Sequence, residues 1–163
     1  MQPSKERIKL TPQTNEALKA LGWKGWKPEV GDWALWEGAI QLIVDVPFHR
    51  GAYDSGGGMR PGQEGDWVDC EAIDGETPIL SHKIENLIPL LHWEQIKAIL
   101  QANGYILTIW LSKGGGKIVI YTDPGRKKLL ENEQTKLVDR MYSGELQLAV
   151  MKAVINLAKE VKK

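Results

Sequence analysis

Hydrophobic positions along this chain change period several times, and each change marks an element. In LTPQTNEALKALG, residues 10–22, Ala17, Leu18 and Leu21 form a narrow stripe. Thr11 can cap a helix there, Pro12 suits a first helical position where its missing N–H costs nothing, and Gly22 can close the end in the left-handed conformation. The pattern predicts a helix over 12–21, short enough that it must dock on something to persist. The nearest apolar surface is the tryptophan cluster that follows it.

From Pro28 the period becomes two. DWALW, then AIQLIVDV after Glu37-Gly38, then GDWVDCEAI, then TPILSHKI after Asp74-Gly75, read as short strands joined by glycine turns and one long Gly-rich loop. In AIQLIVDV, Ile40, Leu42 and Val44 alternate with Gln41 and Asp45, which predicts that the first three face a core. In DWALW, Trp33 and Leu35 share one face and Ala34 and Trp36 the other, so both tryptophans cannot enter one core.

After Pro89 the helical period returns. LLHWEQIKAILQANG places Trp93, Ile96, Ile99 and Leu100 on one face and stops at Asn103-Gly104. YILTIWLS and KIVIYTD flank KGGG as a hairpin, and DPGRKK ends the second strand. LLENEQTKLVDRMY is expected to be helical. The final SGELQLAVMKAVINLAKEVKK is a strong helix with Leu146, Val150, Ala153, Leu157 and Val161 on one face and lysines at its C-terminal end. The predicted class is α+β: an N-terminal helix and tryptophan clamp over 1–27, a small β-barrel over 28–90, and an α-β-β-α domain over 91–163 with a long C-terminal helix.

Residues 28–90 show a further resemblance. P-x-x-G-D-W-x-L-W entering a first strand, IQLIVDV as the second, GDWVDCEA and TPILSHK as the third and fourth, and IENLIPLL at the close resemble a src-homology-3-like barrel of the Tudor and KOW type. Such a resemblance implies a unit that reads peptides, methylated side chains or nucleic acids, or that holds domains together; it specifies fold better than function. The succession of barrel, compact α/β unit and AVMKAVINLA helix is similar in style to small proteins encoded by bacteriophages and prophages. That likeness transfers no catalytic residue.

Composition narrows the function classes. With 163 residues, 42% hydrophobic and 26% charged, the chain has the make-up of a soluble globular protein. Its apolar runs fall short of the roughly 18 residues that span a bilayer, and MQPSKERIKL has no signal-peptide core, so a cytoplasmic protein without membrane contact is expected. One cysteine, Cys70, and three scattered histidines predict no metal, and no cofactor is expected. The zero net charge is unevenly spread. Residues 1–27 carry six Lys/Arg against two Asp/Glu, residues 28–90 three against twelve, and residues 91–163 twelve against seven. So acidic a middle would repel phosphate backbones, which leaves the ends as the only candidates for nucleic-acid contact.

Candidate chemistry is sparse. SGGGMRPG (55–62) and SKGGGK (112–117) lack the strand-loop-helix context of a phosphate loop and read as flexible connections. Asp66, Asp69, Glu71, Asp74 and Glu76 suit a solvated edge better than a cation site. His82, Cys70 and Asp69 or Glu71 could meet across a hairpin about Asp74-Gly75 as a weak hydrolase site, but Cys70 shares its strand face with Val68 and Ala72, as a small buried hydrophobe would. GWKGWK interleaves Trp23 and Trp26 with Lys24 and Lys27, and the loop Arg126, Lys127 and Lys128 adds cations, so nucleic-acid binding by these residues is an alternative. The favoured expectation is a non-enzymatic protein-interaction or assembly protein, with an unknown partner or a second copy. Leu148, Met151, Ile155 and Ala158 form a second apolar face on the last helix, to be covered by the barrel or by another chain. If that face is an interface, Met151→Glu would dissociate the assembly and leave the fold intact; if it is core, the change would unfold the protein.

Overall fold

The computed structural model describes residues 3–51, 64–112, 115–134 and 144–162. The fold is α+β, with three α-helices and two antiparallel sheets among the described residues. The chain divides into two compact units, one of Trp26–Leu90 and one of Met1–Gly25 with Leu91–Lys163. The N-terminal helix, expected to stand apart with residues 1–27, thus shares a unit with the C-terminal segment.

In the first of these, the sheet unit, the strands are β1 (Trp33–Trp36), β2 (Ala39–Ile43), β3 (Phe48–Arg50), β4 (Gly65–Ala72), β5 (Leu80–Lys83) and β6 (Ile88–Pro89). Their order is β3-β4-β2-β1-β6, with β5 added on β4. Trp67 pairs with both Phe48 and Lys83, and Cys70 with both Ile43 and Leu80, so β4 carries β2 and β3 along one edge and β5 along the other. The β1–β2 hairpin turns on Glu37 and Gly38, whose φ values of 49° and 82° are the left-handed pair that a two-residue hairpin needs. The core is small: Ala34, Ile43, Val68, Cys70 and Leu87, with Trp26, Trp36 and Ile84 packed against it.

The face of β2 differs from expectation. Gln41 and Ile43 are buried, whereas Ile40, Leu42 and Val44 are only half-buried. Both faces of this strand are partly covered, so alternation of side chains did not mark the inner one. Ile43, opposite Cys70, is the residue that reaches the core.

The second, helical unit starts with α1, Lys5–Ala20, seven residues longer at its start than expected. Ser4 is the N-cap, accepting from the Arg7 N–H, while the Thr11 hydroxyl donates to the Arg7 carbonyl and Pro12 lies inside the helix. The capping signal at Thr11 was therefore an internal side-chain bond, and KERIKL has the propensity to extend the helix backwards. Its docking surface is α3, Gly144–Val161. Glu6 pairs with Lys152 at 3.2 Å, and Ala17 lies beside Ile155 and Ala158 in a shallow groove between the two helices.

α2, Trp93–Ala102, buries Ile96 and Leu100 as its periodicity predicts and ends at Asn103, followed by Gly104 at φ +87°. At its start the His92 ring accepts from the Glu94 N–H and Gln95 reaches back to the His92 N–H. A buried Gln147 on α3 accepts from the Trp93 N–H at 2.7 Å and donates to the Leu91 carbonyl at 2.9 Å, satisfying two groups left over where the helix begins. Gly22, at φ +110°, comes so close to Asn103 that a Cβ would lie 2.6 Å from its Oδ1.

The sheet of this unit has three strands in simple order, β7 (Tyr105–Ser112), β8 (Gly115–Thr122) and β9 (Lys128–Gln134). The stretch LLENEQ, expected to be helical, is strand β9, which makes the order α-β-β-β-α with one strand more than expected. It pairs with β8, Leu130 opposite Ile120, with a bulge between Ile120 and Tyr121. The rest of that expected helix, residues 135–142, lies outside the described residues. Leu107, Ile118 and Ile120 are buried beneath α2 and α3.

On α3 the first expected face holds: Leu146, Val150, Ala153 and Leu157 are buried, and Val161 at the end is exposed. The second face, expected to meet the barrel or another chain, is covered by α1 of the same chain. Met151 is only 2% exposed, Ala158 is buried, and Leu148 and Ile155 are half-buried. No helix among the described residues is long and apolar enough to cross a membrane.

Candidate binding groove

The sheet unit carries an open groove of about 740 Å³ where the segment entering β1, the β2–β3 connection and the start of β4 meet the short 3₁₀ turn at Ile84–Asn86. Trp26, Pro28, Pro47 and Phe48 supply apolar walls. Trp26 is held in place: its ring N–H donates to Asp32 Oδ2 at 3.0 Å, an oxygen that also accepts from the Glu29 N–H, and the ring packs on the core. Its other surface is left to the groove. Phe48 is the only phenylalanine of the chain and is half-buried on the edge strand β3.

The rim is charged. Glu64, Asp66 and Glu85 contribute carboxylates, and Lys27, Lys83 and His49 contribute basic groups. Two of these basic groups are engaged with the acids: His49 Nδ1 lies 2.8 Å from Asp66 Oδ1, and Lys83 Nζ lies 3.7 Å from Glu85 Oε1. Behind the rim Arg50 stacks on Trp67 at 4.3 Å and lies 5.5 Å from the Phe48 ring, an arrangement in which aromatic faces already hold a cation. By sequence count Trp26–Leu90 carries four Lys/Arg against twelve Asp/Glu, a net −8, and the remainder seventeen against nine, a net +8.

The residues singled out from the sequence divide between the units. Trp26 and Lys27 line the groove. Trp23 and Lys24 belong to the helical unit, where the Trp23 N–H donates to the Leu18 carbonyl at 2.9 Å and so closes α1. Arg126, Lys127 and Lys128 are exposed on the turn and strand after β8, ordered by the bonds from the Arg126 N–H to the Thr122 carbonyl and from the Lys127 N–H to Thr122 Oγ1. Leu148, Met151 and Ile155 lie on the α1 side of α3. The sequence offered no signal for Pro47, Phe48, Glu64 or Glu85, which come from three separate places along the chain.

The Cys70 and His82 pair lacks the means of a nucleophile. Their strands are paired, with Val68 opposite His82 and Cys70 opposite Leu80. Burial, with a smaller contribution from Asp69, pushes the Cys70 thiol up to about 11, and its weak bond goes to the Val68 carbonyl at 3.9 Å. His82 stacks on Trp36 at 4.6 Å, and burial lowers its pKa. A protonated thiol without a bonded base is a poor attacking group. Among the described residues no group of three or more His, Cys, Asp or Glu is placed to hold a metal ion. Comparison with models of protein families, with curated proteins and with solved structures found no match.

Proposed function

We propose that this chain is a cytoplasmic, non-enzymatic interaction or assembly protein of the phage type, and that its acidic unit receives an extended polypeptide segment in the Trp26–Phe48 groove. One observation carries the reading: two aromatic rings and two prolines form an apolar trough whose rim bears Glu64, Asp66 and Glu85. A trough of that kind suits an extended, proline-containing backbone, and the net −8 of the unit favours a segment with lysine or arginine at its edge. The src-homology-3-like reading of residues 28–90 belongs to the same proposal and draws support from the antiparallel order β3-β4-β2-β1-β6. A polyanion is the poorer occupant of this groove, since the unit's net −8 repels phosphate.

The test is fluorescence anisotropy with two labelled decapeptides, one alternating Pro and Arg and one with Glu in place of Arg. The first should bind the full chain and the second should not, and Phe48→Ala or Glu85→Lys should weaken binding about tenfold, the effect of about 1.4 kcal/mol. Equal affinity for both peptides, or indifference to both substitutions, would overturn the proposal.

A further inference from the structure

The outer face of the three-stranded sheet carries a row of aromatic and cationic side chains that the groove leaves unexplained. Register places Trp110 opposite Lys117 and Tyr121 opposite Lys128, all four on the face turned away from Leu107, Ile118 and Ile120. Trp110 is 55% exposed, the largest exposed hydrophobic side chain among the described residues. The two aromatic positions lie four residues apart along the hairpin, about 13 Å at strand rise. Val119 between them is buried, so contact falls on the two ends of the row.

Glu131 organises the cations between these ends. Lys117 Nζ and Lys128 Nζ each lie 2.9 Å from one of its oxygens, so two flexible amines are held at fixed points on the face. Beyond Lys128 the turn adds Arg126 and Lys127, presented by the bonds to Thr122 described above. Arg126 is held at φ 48°, so the turn sets its direction.

We propose that this face binds single-stranded nucleic acid, with bases stacked on Trp110 and Tyr121 and the phosphates met by Lys117, Lys128 and the Arg126–Lys127 turn. The chemistry is the one such strands require: rings that stack on any base, interleaved with cations that follow the backbone. Charge complementarity chooses this occupant over a polypeptide, because the face belongs to the unit with a net +8. The choice is independent of the groove, which lies on the acidic unit.

Anisotropy of a labelled oligothymidylate with the full chain tests it. The complex should form at low salt and weaken steeply with added salt, with a log–log slope near −0.7 for each phosphate neutralised. Trp110→Ala, at an exposed position that leaves the fold unchanged by circular dichroism, should reduce affinity about tenfold, within the range for loss of one stacked base. Joint replacement of Arg126 and Lys127 by Ala should flatten the salt slope. Glu131→Gln removes the carboxylate that pairs with both lysines and should tighten binding severalfold, a gain that a purely structural glutamate would not give. Lys97→Ala, on an exposed position of α2, should change little. No complex at low salt, equal affinity for duplex DNA, or indifference to Trp110→Ala would overturn the proposal. So would sedimentation in which Trp110→Ala abolishes self-association and the oligonucleotide has no effect, because the face would then belong to a second copy.

Discussion

The two units solve the burial problem in different ways. In the sheet unit a small core of Ala34, Ile43, Val68, Cys70 and Leu87 is closed within one continuous stretch of chain, through a two-residue hairpin, strand pairs around β4 and the pairing of β1 with β6. In the helical unit long aliphatic rows on α3 are covered from both ends of the chain: α1 on one side, and α2, β8 and β9 on the others. Charge divides the same way, net −8 against net +8. Local closure with acidic rims and distant closure with basic rims are separate designs, and the candidate surfaces inherit their chemistry from them.

Substitutions in the two cores test how far this separation goes. Met151→Glu should have the largest effect, costing at least about 4 kcal/mol because an unpaired carboxylate replaces a thioether that is 2% exposed. Hydrogen exchange should show protection lost in α1, α2 and α3 and kept in β1, β2 and β4. Its mirror, Ile43→Ala, should cost about 2–4 kcal/mol and open the sheet unit first. Loss of protection in both units from either change would show a single cooperative fold. Next in size, Gln147→Leu removes both bonds at the start of α2 and should cost about 1–3 kcal/mol by leaving the Trp93 N–H without that partner, while the Leu91 carbonyl keeps the bond from Arg7 Nη2 at 3.1 Å. A thermal melt unchanged by this substitution would show that the Trp93 N–H finds another partner.

The smallest effect concerns acid. Hydrogen bonds and charge from Lys128 and Lys117 hold the Glu131 carboxyl down at about 2. A depressed carboxyl contributes stability that is fully present above its ordinary value of 4.5 and fades as pH falls from there toward 2. Carboxyl NMR should find Glu131 still ionised at pH 3.5, and an ordinary midpoint would mean that the Lys117–Glu131–Lys128 cluster does not persist in solution.

Much of the local structure was legible in the sequence, and the failures have specific causes. Turns written in glycine, at Glu37-Gly38, Asp74-Gly75 and Asn103-Gly104, marked ends correctly because each needs a backbone conformation that few residues adopt. β9 was misread because LLENEQ has helix-forming residues, and pairing with β8 outweighs that preference. The inner face of β2 was misread because both of its faces are covered, which erases the contrast that alternation relies on. The α1–α3 contact was illegible because Glu6 and Lys152, Ala17 and Ile155 stand far apart in the chain and the buried face of α1 is largely polar. The groove was half legible: Trp26 and Lys27 drew attention as an aromatic and basic stretch, while Phe48 and the carboxylates acquire meaning only when β3 and the 3₁₀ turn bring them together.

That polar buried face, Thr11, Thr14 and Asn15 beside Ala17 and Leu18, also bears on synthesis. The ribosome makes α1 more than a hundred residues before α3, a delay of roughly ten seconds at ordinary elongation rates. A waiting helix rich in leucine on its inner side would offer a sticky surface for all of that time. One lined by hydroxyls and an amide, two of the hydroxyls turned back on its own carbonyls, can wait in water without recruiting the wrong neighbour.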